Sequence, residues 1–308
     1  MNSLPRAIQA ANKLLRRDKV FTMVGALGTP MNLAVMPQQL DAGVPNMYPI
    51  SAAAEMAEPL HPMKYAFFRS YTEQFRAGVA YFHANGGFET PCVAQIANEA
   101  GESMTLGVEQ QLHEIGMEIA AKTEHSATET DMVSSVTTLK NAGCDIVFLS
   151  TGVGDTIRIV ATAKKLGFEP TFVASMVPYM DAVAQAADGA MEGLHLVSPF
   201  VYAEAGSADG EAKRILESYA EIYGEKMAPQ AQLGYIFIDL IATALEAAGP
   251  ELTTEGFLAA TEAINGYVDP IGGQTVSFGP EDHQGVETLI LAKVENGAWT
   301  VAARGLDY

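Results

Sequence analysis

From the start to about residue 200 the chain repeats one rhythm. A short apolar run is followed by a small-residue turn, then by a stretch with apolar positions every three to four residues. The apolar runs predict strands over 20–24, 44–48, 92–97, 116–122, 145–149, 171–174 and 194–197. The intervening periodicity predicts helices over 29–41, 70–85, 103–115, 131–141, 155–166 and 179–187. Strands alternating with helices at this spacing make βαβ units, and βαβ units make parallel sheets, so the predicted fold class is α/β. The runs 92–97 and 145–149 are almost continuously apolar, as strands covered on both faces should be. Residues 1–17 read as an amphipathic helix, with Ala7, Ile8, Ala11, Leu14 and Leu15 on one face and Arg6, Lys13, Arg16 and Arg17 on the other.

After residue 200 the rhythm changes. Three helices follow in series, over 208–223, 229–248 and 254–264. The last stretch predicts antiparallel strands over 275–278, 288–294 and 299–302, with Asn296-Gly297 as a hairpin turn. Two turn-rich places suggest boundaries between two lobes: His83 to Phe88, and Ser198-Pro199-Phe200 with the Ala205-Gly206-Ser207 loop beyond it. Neither place resembles a long linker, so several short chain crossings are expected.

Composition narrows the function. The 308 residues are 48% hydrophobic and 18% charged, which excludes a disordered or collagen-like chain. No eighteen consecutive residues are apolar, so no direct membrane insertion is expected. The net charge of −19 repels phosphate backbones and anionic lipid surfaces, so no nucleic-acid partner is expected either. Cys92 and Cys144 begin strands that could be neighbours. They could pair, but two buried thiols are the favoured reading. There is no Gly-x-Ser-x-Gly elbow, P-loop, Gly-x-Gly-x-x-Gly turn, Cys-x-x-Cys or His-Glu-x-x-His, and the six histidines have no ligand spacing. The chain therefore reads as neither an enzyme nor a holder of a metal or cofactor. The acids Asp145, Asp155 and Asp181, which an α/β enzyme would need, read more simply as helix-start and solvated-face residues.

Three loops carry the candidate chemistry. Gly25-Ala26-Leu27-Gly28-Thr29-Pro30 follows a predicted strand and opens a helix, with Thr29 suited to the N-cap and Pro30 to the first turn. Free N–H groups and the positive end of the helix dipole would then favour a carboxylate at Leu27, Gly28 and Thr29. An ordinary βα turn with a good cap would look the same. Ser51, Ala52, Ala53 and Ala54 leave backbone groups open to a ligand, or else form a tightly packed turn. Thr151, Gly152 and Val153 again join a strand to a helix. All three lie at the carboxyl ends of strands, where open parallel sheets bind ligands.

With these loops in view, the chain resembles the type I periplasmic binding proteins of the branched-chain amino-acid class. The stretch LLRRDKVFTMVGALGTPMNLAV is similar to that family's first lobe, TLKNAGCDIVFLSTGVGDTIRIVATAKKLGFEPTF to its second-lobe core, and GYIFIDLIATALEAAG to its long late helix. The resemblance implies two Rossmann-like lobes with a ligand cleft between them, closing by a hinge on a small carboxylate, amide or amino acid. It implies lobe one over 1–88, lobe two over 89–199, a return to lobe one over 200–266, and C-terminal strands over 267–308 mainly in lobe two. Gly28 and Thr29 would hold the carboxylate, the Ser51 to Ala54 loop would add contacts, and Ala100, Thr151 to Val153 and Met176 would close from lobe two. ABC permease subunits would be the partners and the periplasm the location.

Three departures change the expected ligand. Where family members that hold an amino acid commonly place an aromatic, a hydroxyl and an acid, this chain has Ala100, Ala54 and Met176. An ammonium buried without a counter-charge costs several kcal/mol. Unless Glu99 or Asp155 substitutes, the expected ligand is a carboxylate or amide with an apolar or aromatic body. The chain also enters the family pattern about one βα unit late, without a signal peptide or first strand, so lobe one is expected to lack a central strand. A cytoplasmic amide or amino-acid sensor of the same fold, acting on a protein partner, is the alternative reading.

Overall fold

The computed structural model describes residues 4–203, 206 and 208–308. Residues 1–3 of the predicted first helix, and Ala205 and Ser207 of the predicted boundary loop, lie outside the described residues. In chain order the elements begin with α1 (Leu4–Asn12), β1 (Met23–Val24), α2 (Thr29–Asp41), β2 (Asn46–Met47) and β3 (Lys64–Tyr65). They continue with α3 (Tyr71–Ala84), β4 (Pro91–Ile96), α4 (Glu99–Glu114), β5 (Ala121–His125), α5 (Val133–Asn141) and β6 (Ile146–Ser150). Next come α6 (Val153–Lys165), β7 (Thr171–Ala174), α7 (Asp181–Ala184), β8 (His195–Ser198) and α8 (Gly210–Tyr223). The last are α9 (Pro229–Ala248), α10 (Thr254–Glu262), β9 (Tyr267–Val268), β10 (Thr275–Val276), β11 (Leu289–Glu295) and β12 (Ala298–Leu306). The fold is the mixed α/β arrangement that the alternation predicts.

The chain divides into two compact units, one of Met1–Arg69 with Phe200–Glu287, the other of Ser70–Pro199 with Thr288–Tyr308. The crossings therefore fall at 69/70, 199/200 and 287/288, against the expected 88/89, 199/200 and 266/267. Packing explains both displacements. Helix α3 lies on the second unit's sheet, with Phe75 edge-on to Phe148 at 6.2 Å and Phe82 against His195 at 5.1 Å. It also presses on α4 so closely that a Cβ on Gly107 would stand 2.2 Å from the Thr72 carbonyl oxygen. Residues 267–287 stay with the first unit because Ala66 donates to His283 O at 2.9 Å, Gly285 donates to Ala66 O at 2.8 Å, and Tyr65 stacks on His283 at 4.0 Å. The strand expected over 275–278 is accordingly the short β10, paired with β9 rather than with the C-terminal hairpin.

The first unit holds a small parallel sheet in the order β1-β2-β3. Its core is aromatic: Phe237 of α9 meets Tyr48, Phe67 and Phe68 at ring-centroid distances of 5.7, 5.2 and 6.0 Å. By length and composition α9 would also suit a membrane span, but Leu233, Ile236, Phe237, Leu240 and Ala244 are committed to this core.

The second unit holds a seven-stranded sheet in the order β12-β11-β8-β7-β6-β4-β5. Strands β5, β4, β6, β7 and β8 are parallel; β11 and β12 close the edge antiparallel. Asn296 and Gly297, both at positive φ (55° and 73°), make the predicted turn between them.

Two expectations are corrected here. The helix predicted over 179–187 shrinks to α7, because the backbone is extended on either side of it, at Met180 (ψ 148°) and Ala186 (ψ 157°). The cysteines pair. Strands β4 and β6 are neighbours, which brings Cys92 and Cys144 to a Cα separation of 5.9 Å and joins them in a disulfide. Closing a loop of 52 residues removes about 4 kcal/mol of chain entropy from the unfolded state. Replacing both cysteines by alanine is expected to lower unfolding free energy by about 2–4 kcal/mol in a denaturant titration, and dithiothreitol should produce a similar loss in the wild type. An unchanged midpoint on reduction would contradict the bridge.

Candidate functional site

The turn between β1 and α2 is built from its two glycines and one asparagine. Gly25 and Gly28 take φ 66° and 98°, conformations that side chains resist. Gly28 donates to Ile50 O at 3.0 Å and Ile50 donates to Ala26 O at 2.9 Å, so the turn is laced to the loop that follows β2. Asn32, buried one turn into α2, donates its side-chain amide to Ala26 O at 2.8 Å and to Gly28 O at 2.9 Å. The asparagine thus holds the carbonyls of the turn inward.

Thr29 departs from expectation. Gly28, not Thr29, occupies the N-cap position, and no side chain caps the helix. The Thr29 hydroxyl instead bonds Ser51 Oγ at 2.7 Å, with both residues buried (3% and 1% exposed). Ser51 Oγ also accepts from Ala53 N–H at 3.3 Å, and Ala52 and Ala53 are buried beside it. Leu27 stands 56% exposed above them, and Ala54, half-buried, begins a 3-10 turn.

The donor count of this corner follows directly. Pro30 has no N–H, and neither Thr29 N–H nor Met31 N–H meets an acceptor among the described residues. The two hydroxyls share one hydrogen bond, which leaves one hydroxyl proton over. The corner therefore offers two backbone donors and one hydroxyl donor at the positive end of a helix.

In the second unit the candidates follow adjacent strands. Ala100 lies in the first turn of α4 after β4, where Asn98 caps the helix by accepting from Gly101 N–H at 3.0 Å. Gly101 is obligatory, since a Cβ there would stand 2.1 Å from Ile96 O. Thr151, Gly152 and Val153 follow β6, with the buried Thr151 hydroxyl 2.8 Å from that of Thr156. Met176 follows β7, is buried, and donates its N–H to Gln74 Oε1 at 3.1 Å. The candidates thus fall into two groups, each assembled at the carboxyl ends of neighbouring parallel strands within its own unit.

Asp155, a candidate substitute for an ammonium-binding acid, is already engaged. Its carboxylate contacts Arg158 Nη2 and lies 3.7 Å from His125 Nε2, with the His125 side chain fully buried. Burial alone would raise the Asp155 pKa; the His125 ring and the Arg158 guanidinium outweigh it and hold the carboxyl below the usual range. Glu99, the other candidate, is exposed at the start of α4. Among the described residues no three His, Cys, Asp or Glu side chains cluster as a metal site would require. Sequence reasoning did not single out Asn32, Gln74 or His125. Asn32 carried a usable signal, lying four residues after Gly28 on the same helix; the others meet their partners only across the sheet.

Comparison with known proteins agrees with this fold. A sequence model of the family described as periplasmic binding protein matches residues 2–298. No curated protein matches the chain in sequence. Among solved structures, a leucine binding protein from Thermotoga maritima is similar at 17% identity and a TM-score of 0.87, over 98% of this chain and 85% of that one. A branched chain amino acid ABC transporter from Thermus thermophilus with bound valine is similar at 17% and 0.88, over 99% and 83%. An ABC transporter solute binding protein from R. palustris in complex with benzoate is similar at 17% and 0.83, over 99% and 83%. Identities this low establish the fold.

The engaged state of Asp155 makes a pH prediction. A carboxyl whose folded pKa is depressed contributes stability that is present above its unfolded pKa, about 3.9, and is lost as pH falls through the folded value. Asp155→Asn is therefore expected to flatten the fall in melting temperature below about pH 4. Equal acid limbs in wild type and variant, measured by thermal unfolding across pH, would contradict the assignment.

Proposed function

The chain belongs to the periplasmic binding protein family, and from that premise we propose that it is the solute-binding subunit of an ABC importer for a small carboxylate with an apolar or aromatic body. Members of the family are solute-binding proteins rather than enzymes. The observation that carries the ligand class is the corner at the head of α2. Thr29 N–H, Met31 N–H and a hydroxyl proton of the Thr29–Ser51 pair are donors without an acceptor. A carboxylate has two oxygens and about four lone-pair sites and accepts all three; it also gains from the helix dipole.

The second unit supplies the argument against an α-amino acid. In this reading Ala100, Thr151 to Val153 and Met176 form the apolar side of the pocket, brought to the ligand by hinge closure. None of these carries a negative charge, and Asp155 is already paired with Arg158. An ammonium enclosed there would go unpaired, at a cost of several kcal/mol. The valine and benzoate held by two structural relatives bracket the choice, and the missing counter-charge favours the benzoate-like end. The Cys92–Cys144 disulfide supports an oxidising compartment, hence export to the periplasm and delivery to a permease. It weighs against the cytoplasmic sensor.

Isothermal titration tests the reading with benzoate, leucine, valine and butyramide. Benzoate is expected to bind in the micromolar range, with leucine and valine weaker by at least about a hundredfold. Micromolar leucine binding with no heat from benzoate would overturn it. Thr29→Val should weaken benzoate about fivefold, the loss of about 1 kcal/mol from one hydrogen bond, and should lower the melting temperature as well, because it removes the buried bond to Ser51.

A further inference from the structure

The first unit buries a lysine with no acid to pair it. Lys64, the first residue of β3, is 4% exposed. Its ammonium donates to Glu55 O at 3.1 Å. Among the described residues no carboxylate comes within ion-pair distance of it. Burial holds the amine's pKa below the ordinary lysine value, and the negative charges of Glu55 and Glu58 oppose that fall from farther away. A buried charge bonded to one carbonyl is costly to keep. Such a cost is tolerated where a residue serves function rather than stability.

The backbone that carries Lys64 is fixed. Lys64 N–H donates to His61 O at 3.0 Å, and Asn46 of β2 is its neighbour in the sheet. The buried His283 ring sets Nδ1 2.8 Å from Lys64 O and 3.1 Å from His61 O. Both partners are carbonyls, so Nδ1 carries the proton and donates to them. From this platform the lysine side chain reaches the loop that begins at Ser51. Glu55 is the middle residue of the 3-10 turn Ala54–Met56, in which Met56 N–H donates to Ala53 O at 3.0 Å. Ala53 N–H donates to Ser51 Oγ, and Ser51 Oγ shares its hydrogen bond with the Thr29 hydroxyl. A continuous run of bonds within the first unit therefore joins the ammonium to the anion corner.

From this arrangement we propose that Lys64 is a positioning residue of the ligand site, which holds the exit of the Ser51–Ala54 loop so that Ser51 Oγ stays on Thr29 and the corner keeps its spare hydroxyl proton for the ligand. The proposal rests on the carboxylate reading of that corner. An ammonium suits the role better than a neutral donor, because a charge-assisted hydrogen bond is about twice as strong. Glu55 is exposed, so without the lysine its carbonyl would turn to water and the 3-10 turn would lose its anchor to β3.

The test compares the wild type with Lys64→Met, which keeps the apolar stem and removes the donor, by benzoate calorimetry, thermal unfolding and nitrogen–proton NMR. Lys64→Met is expected to weaken benzoate about fivefold, the effect of one lost hydrogen bond. Its melting temperature should hold or rise, because a desolvated charge has been removed. In a double-mutant cycle with Thr29→Val the two losses should overlap, at about tenfold together rather than the product of about twenty-five-fold expected of independent sites. Without ligand, the amide peaks of Thr29, Ser51 and Ala53 should move in Lys64→Met by more than those of the β11–β12 hairpin. Full benzoate affinity in Lys64→Met, a melting temperature that falls along with affinity, a double mutant showing the full product, or unmoved Thr29, Ser51 and Ala53 peaks would overturn the proposal. A wild type that fails to bind benzoate would overturn the carboxylate reading instead, and the ligand-free spectra would then decide whether Lys64 sets the loop.

Discussion

The clamp that Asn32 places on the carbonyls of Ala26 and Gly28 is the constraint on which the candidate site depends. Strands β1, β2 and β3 are two residues long, so their ladder contributes few hydrogen bonds to hold the turn that follows. The side chain of Asn32 does that work from inside α2. With both carbonyls held inward, the first N–H groups of α2 face the other way, and the helix enters without a side-chain cap. The Thr29–Ser51 hydrogen bond then ties the loop after β1 to the loop after β2. A cap would have consumed the donors that an anion needs; its absence is what leaves them.

The second unit meets the opposite demand. Its long, mostly parallel sheet is braced by the disulfide and by the close approach of α3 to α4 at Gly107. Asp155 is the instructive case. Placed in the first turn of α6, beside the Thr151 to Val153 loop, it would be the natural partner of a ligand ammonium. Arg158 and the buried His125 claim it instead. In the proposed reading the first unit supplies uncharged donors and the second supplies no free acid, since Asp155 is paired with Arg158. That division, more than any single residue, argues for a carboxylate over a zwitterion.

Much of the fold was legible in the sequence, and what was not has physical causes. Helices α2 and α9 and strand β7 fall on their predicted bounds, because proline at the helix starts and a sharp apolar-to-polar boundary mark their ends. Strand β5 lies later than the run 116–122 that predicts it, since Gly116 at φ 75° belongs to the turn that closes α4. The crossing at 69/70 was not legible: the periodicity predicts a helix over 70–85, but nothing local says on which sheet that helix will lie. The cysteine pairing depended on strand order, which spacing alone leaves open. In the candidate site, the turn at Gly28 was legible from its glycines, whereas the N-cap predicted at Thr29 falls on Gly28. The hydroxyl bond between Thr29 and Ser51 was not legible, because it joins residues 22 apart through the pairing of β1 with β2.

In the proposed reading, backbone donors at the head of α2 hold the ligand's carboxylate. A nitrogen–proton NMR titration of the labelled protein with benzoate reads those donors one by one. The Thr29 and Met31 amide protons are expected to move downfield together, saturating at one common dissociation constant, with smaller shifts at Ser51 and Ala53. Saturable shifts confined to other residues, with Thr29 and Met31 unmoved, would contradict the claim.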